Sequence, residues 1–151
     1  MKVEGFKELD EALTELVNTV GVSQATGKNL ARRVLTRAAE PVASAAASSA
    51  PVASGTLRTS ITVGTQLSPR QRKSSPKVSP VEVYVGAGPL PQAHMQEFGT
   101  AHNAPQPFMR PAWDANKGTA IETIKSGLWS EIKRVAARAA RKAARLAAKS
   151  S

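Results

Sequence analysis

The chain contains no cysteine, and that one absence removes disulfides, thiolate metal sites and cysteine nucleophiles together. Aromatic residues are scarce, at 4% of 151 residues, and alanine supplies much of the 41% hydrophobic fraction. A core built mainly from alanine is thin, because each alanine buries little area. Association with further copies of the chain would bury the apolar surface that folding leaves exposed. No apolar run approaches the roughly 20 residues that a membrane span needs. The opening stretch MKVEGFKELDEALTEL mixes charged and apolar residues from the start, so no signal peptide is expected and the chain reads as a soluble protein made in a cytoplasm. Acidic residues are the minority charge: 11 Asp and Glu stand against 21 Lys and Arg, leaving a net +10. That excess calls for anionic surroundings: nucleic acid, an anionic membrane face or negatively charged protein partners.

What is present reads as a single domain over residues 1–151, long enough for a core and too short for two ordinary ones. Phe6, Leu9, Leu13, Leu16, Val17 and Val20 recur at three- and four-residue spacing and predict a helix over residues 3–20. A second helix is predicted from about Ser23 to Ala47, with Leu30, Val34, Leu35, Ala38 and Val42 on one side and Pro41 expected to kink or break it at Glu40. The alanine-rich run behind Pro41 has the propensity to carry that helix on to Ser49. The period then changes. Leu57, Thr59, Ile61 and Val63 alternate with polar residues, and so do Val81, Val83 and Val85, which predicts two strands. The stretch between them is polar, basic and proline-bearing, and reads as a mobile hairpin tip at about 66–80. A short helix over 92–98 is expected to close at Gly99. An extended segment with Pro105 and Pro107 follows, and then a long helix from Pro111 to about Lys149, basic over about 130–149 and weakened at Gly118 and Gly127. The predicted class is α+β: a small antiparallel sheet with a long-tipped β-hairpin, packed by N-terminal helices and a long C-terminal helix.

Two segments carry a resemblance. One is APVASGTLRTSI, Ala50 to Ile61; the other is HMQEFGTAHNAPQPFMRPAWD, His94 to Asp114. With GFKELDEAL, Gly5 to Leu13, and VYVGA, Val83 to Ala87, they resemble, in order, the neck and tail-completion (tail-component) family of lambdoid and related siphophages. The matching positions are Pro51, Gly55, Leu57, Arg58, Glu97, Phe98, Gly99, Thr100, Pro107, Phe108, Arg110 and Pro111. His94 stands where the family usually has an aromatic residue. The resemblance implies a structural virion protein without catalytic residues or cofactors, assembled in the host cytoplasm and placed at the head–tail junction. It also implies a ring of copies, hexameric like the tail tube, in contact with the head-closure (stopper) protein and with tail-tube or tail-terminator proteins. The roles of neck protein, tail-completion protein and tail terminator all stay open.

Read as residues, Gly55 sits between a helix exit and a strand, where a positive φ is expected, and Gly99 allows a sharp reversal. Phe108, framed by prolines, is expected in the chain's own core rather than in a neighbour's pocket. Trp113 is a stronger candidate for partner contact. Arg58 and Arg110 are candidates to pair with Glu97 or Asp114, against plain solvent exposure. Arg70, Arg72, Lys73 and Lys77 crowd the hairpin tip, where they either solubilise a loop or dock electrostatically on an acidic ring, with non-specific contact to DNA in a central channel as a further role. Lys133, Arg134, Arg138, Arg141, Lys142, Arg145 and Lys149 crowd the last helix.

Two rival functions compete. A basic architectural protein that binds nucleic acid accounts for the charge, yet the sequence has no helix-turn-helix, zinc or ribonucleoprotein signature and no aromatic interleaving. An enzyme or metal protein would have to use His94, Glu97 and His102, the one cluster with acid–base or ligand potential, and ordinary polar packing is the better account of it.

Overall fold

The structure, a computed structural model, describes residues 24–51 and 55–150. The helix predicted over residues 3–20, its GFKELDEAL motif, the start of the next helix at Ser23 and residues 52–54 lie outside the described residues. The elements are α1 (Gln24–Ser49), α2 (Thr56–Ser60), β1 (Thr62–Gly64), α3 (Pro69–Ser74), β2 (Tyr84–Gly86), α4 (Pro91–Phe98) and α5 (Met109–Ser150). Helices joined to one small antiparallel sheet make the fold α+β. Contacts gather into two compact units, one of Arg32–Ile124 and one formed by the chain up to Ala31 together with Lys125 onward. Among the described residues no helix is long and apolar enough to cross a membrane.

Along α1, Leu30, Val34, Ala38, Val42 and Ala46 are buried, a row at every fourth residue that Ala50 continues just past the helix. Leu35, expected in the same row, is only partly buried. The helix does not break at Pro41. Pro41 and Arg37, whose carbonyl loses its N–H partner there, are both exposed, so water can satisfy the orphaned oxygen. Alanines on either side of the proline hold the helical backbone at little cost.

The first predicted strand is corrected over most of its length. Residues Thr56–Ser60 form one helical turn, and only Thr62–Gly64 is strand. Leu57 and Ile61 stand four apart, a spacing that satisfies strand alternation and a helical turn alike, and both reach the core from the turn. Thr59 N–H donates to the Gly55 carbonyl at 3.2 Å, while the Ser60 hydroxyl donates to the Leu57 carbonyl at 2.7 Å, and these local bonds close the turn. Strand β1 pairs with β2 with Thr62 opposite Gly86, Val63 opposite Val85 and Gly64 opposite Tyr84.

The connection between the strands also differs from the expected plain loop, because it contains α3. Ser68 caps that helix by accepting from Gln71 N–H at 3.3 Å, and the Gln71 side chain accepts from Ser68 N–H at 3.1 Å. This is a capping box with proline at the first helical position. Behind it, the Glu82 carboxylate accepts from Val78 N–H at 2.7 Å, Ser79 N–H at 2.8 Å and the Tyr84 hydroxyl. Those bonds, Tyr84's first, hold Glu82 below the usual carboxylate range and push the Tyr84 phenol up.

Within the unit of Arg32–Ile124 the core is Ala46, Ala50, Leu57, Ile61, Ala87, Phe108 and Ala112, with Val85 and Met109 packed against it. Phe108, 1% exposed, is its one aromatic side chain, so the intramolecular expectation for Phe108 holds. In the other unit Leu30, Leu128 and Ile132 are buried. Helix α5 begins two residues before the predicted Pro111 and runs unbroken through Gly118 and Gly127.

Candidate functional site

The densest concentration of unusual chemistry is the corner joining α4 to α5. Helix α4 closes at Gly99, which has φ +76° and donates its N–H to the Met95 carbonyl at 2.8 Å. A Cβ on Gly99 would lie 2.9 Å from the Asn103 carbonyl oxygen and 2.9 Å from the Pro105 nitrogen. No side chain fits there, in either conformation or space. Beyond it the Thr100 hydroxyl oxygen accepts from Asn103 N–H at 3.1 Å and His102 N–H at 3.3 Å, and Thr100 N–H donates to the Asn103 carbonyl at 2.9 Å. Gln106 N–H then returns to the Gln96 carbonyl at 2.7 Å and ties the proline segment to α4.

Glu97 locks this corner. It is a buried charged residue, 9% exposed, and its carboxylate accepts from the backbone N–H groups of Phe108 at 2.8 Å, Met109 at 2.9 Å and Arg110 at 3.1 Å. These donors belong to the first turn of α5, which has no intrahelical acceptors for them, and the helix dipole favours a negative charge there. Burial pushes the Glu97 carboxyl up, but the three N–H bonds and the nearby Arg110 charge outweigh it and hold the group below its ordinary value. An anion fixed in this way is a structural cap, and a poor proton carrier at neutral pH.

On the outer side of the corner the side chains of α4 and α5 form an aromatic ledge. His94 and Phe98 have ring centroids 4.7 Å apart, and the Arg110 guanidinium lies 5.6 Å from the Phe98 ring centroid. Phe98 is 57% exposed, Trp113 54% and Met95 52%. Beside the ledge runs an apolar groove of about 750 Å³, lined by Leu35, Val42, Val85, Phe98, Trp113 and Ile121 among others. Phe98 and Trp113 both line this groove, so exposed apolar surface is concentrated at the corner.

The sequence-predicted residues divide between these places. Gly55 has φ +70° and precedes α2, as expected of a residue that must turn the chain. Pro51 is half-buried behind α1, and Leu57 is in the core. Arg58 is exposed and donates to the Ser48 carbonyl at 3.3 Å, tying α2 back to α1. Of the two readings of Arg58 and Arg110, solvent exposure is the one found: both are exposed, Asp114 pairs with Lys117 at 2.8 Å, and Glu97 takes the backbone N–H of Arg110 rather than its guanidinium. Glu97, Phe98, Gly99, Thr100, Pro107, Phe108, Arg110 and Pro111 come together in the corner and at the first turn of α5. Arg70, Arg72 and Lys73 are exposed on α3 and Lys77 follows it. Arg72 and Lys77 share a hollow of about 280 Å³ with Glu82 and Tyr84, which Arg70 and Lys73 do not line.

The sequence reading missed the capping role of Glu97 and the existence of α3. The second had a local signal in Ser68-Pro69-Arg70-Gln71, a capping box with an N1 proline. Glu97 had none, because its donors lie more than ten residues away. Among the described residues no group of His, Cys, Asp and Glu could hold a metal ion.

A family model described as "Bacteriophage HK97-gp10, putative tail-component" matches residues 11–99, which takes in α1 through α4 and Gly99. No curated protein and no solved structure matches the chain. With more than half of its length covered, the chain belongs to this family of bacteriophage tail components.

Proposed function

We propose that the chain is a non-enzymatic structural protein of the virion that forms a ring at the head–tail junction and joins head to tail. The observation that carries this reading is the family match over residues 11–99. The geometry supports it. The motif residues from Glu97 to Pro111 build the corner, and Glu97, the buried carboxylate at its centre, is saturated by backbone donors. What the corner presents outward is the ledge of Met95, Phe98 and Trp113 beside an apolar groove. In this proposal a second copy of the chain covers that ledge, and repetition of the contact around an axis closes a hexameric ring. The cations Arg70, Arg72, Lys73 and Lys77, displayed on and behind the rigidly capped α3, dock on acidic faces of the head-closure protein or the tail tube.

Native mass spectrometry of the purified chain tests the ring. The expected result is one closed oligomer that Trp113→Asp converts to monomers while the melting temperature is retained. A chain that stays monomeric at all concentrations, and that is missing from mature particles, contradicts the proposal.

A further inference from the structure

The basic half of α5 takes no part in the corner, the groove or the hollow, yet it carries the largest group of cations in the chain. From Lys133 to Lys149 the helix has seven basic residues and no acidic one, and every one of those cations is exposed. At 3.6 residues per turn, Arg134, Arg138, Arg141, Lys142, Arg145 and Lys149 fall within an arc of about 100° and extend over roughly 23 Å of axis. The covered face is a different one: Leu128 and Ile132 are buried, and Val135, Ala136 and Ala139 are partly buried. Arg134 has an acidic partner, Glu131 at 3.0 Å. Among the described residues Arg138, Arg141, Lys142, Arg145 and Lys149 have none.

We infer that this stripe is a binding surface for the phosphate backbone of duplex DNA, read without regard to sequence. Charge complementarity identifies the occupant, and the residues around the cations narrow it. Apart from Val135 and Leu146, alanine fills every other position from Lys133 to Lys149. A helix so slim fits a major groove about 12 Å wide. The same alanines leave a folded protein partner little to hold, since protein interfaces draw their energy from buried aromatic and large apolar anchors. A lipid surface would likewise require bulky apolar residues opposite the cations, where this helix has alanine. Between Lys133 and Lys149 there is no Asn or Gln to pair with adenine, so the contact is electrostatic and sequence-blind. The inference concerns the chain's own surface and does not depend on a ring or on its place in the particle.

The test is a fluorescence-anisotropy titration of the full chain with a short mixed-sequence DNA duplex, repeated across salt concentrations. The stripe variant carries Arg138→Gln, Arg141→Gln, Lys142→Gln, Arg145→Gln and Lys149→Gln; glutamine keeps helix propensity, which circular dichroism checks. The control variant carries Arg70→Gln, Arg72→Gln, Lys73→Gln and Lys77→Gln. For the parent chain the expected slope of log affinity against log salt is about −5, a loss of about a thousandfold between about 50 and 200 mM. The stripe variant should lose at least about a hundredfold at the lower salt, with its slope flattened by about four, and the control variant should change by a few-fold only. Parent-like affinity and slope in a stripe variant that keeps its helix content overturns the inference. So does a loss that follows the control variant instead, or binding of polyglutamate or anionic vesicles as tight as binding of the duplex.

Discussion

At the scale of single residues, Glu97 and Gly99 matter for different physical reasons. Glu97→Ala leaves three N–H groups at a helix start without an acceptor, and should cost about 2–4 kcal/mol in denaturant unfolding. Glu97→Gln keeps an acceptor oxygen but loses the charge, and should cost about 1 kcal/mol. Because the folded chain holds this carboxyl below its ordinary value, its stabilisation is complete above the unfolded value near ~4.3 and is lost as pH falls through the lower folded value. Thermal melts at decreasing pH should show that loss in the parent chain and a flatter curve in Glu97→Gln. Two of the three positive-φ glycines among the described residues, Gly55 and Gly99, should also separate. Gly55 has φ +70° but open space around a would-be Cβ, so Gly55→Ala should cost about 1 kcal/mol. At Gly99 the same substitution adds a backbone collision at 2.9 Å and should cost more than about 2 kcal/mol, enough to lower soluble yield. Equal effects at the two positions would disprove the close-approach account of Gly99.

Among the elements, the helices α1, α4 and α5 were the most readable in the sequence and the short elements between α1 and α4 the least. The α1 row declared itself because Leu30, Val34, Ala38 and Val42 repeat at helical spacing, and the end of α4 because Gly99 follows it. The segment from Leu57 to Ile61 was ambiguous in principle: five residues are too few to separate period two from one helical turn, and the deciding bonds are local ones from Thr59 and Ser60. Pro41 does not end α1, in keeping with the exposed position of Arg37, whose carbonyl it orphans. The strand connection looked structureless because its composition is polar, and composition hides the capping box at Ser68. Ser68→Ala should weaken α3 by about 1 kcal/mol, seen as faster hydrogen exchange at Gln71 and its neighbours, with global stability nearly unchanged. Removing the charges of Arg70, Arg72 and Lys73 together should leave the melting temperature within error and reduce head–tail joining in an in vitro complementation assay. Loss of folding in that variant would mean that these side chains are structural.

For the whole molecule, composition foretold the character of the core. Within the unit of Arg32–Ile124 the buried cluster is four alanines, Leu57, Ile61 and Phe108, so a single aromatic ring supplies a large share of the apolar burial there. Phe108→Ala should therefore cost about 3–5 kcal/mol, close to the whole stability of a small domain, and should be visible as loss of the cooperative thermal transition. The same scarcity explains why large apolar side chains still stand in solvent at Met95, Phe98 and Trp113, where a second copy can cover them. Within the two motifs Gly55 and Gly99 have positive φ, Gly99 also meets a close backbone approach, and Glu97 caps a helix. The aromatic ledge was not legible in the sequence, since which side of α4 and α5 stays uncovered depends on how the helices meet. The most direct test of the account is electron cryomicroscopy of particles assembled in a phage from which this chain has been deleted. Filled heads lying beside separate tails of normal length are predicted. Joined, complete virions in the absence of the chain would contradict a role in fastening head to tail.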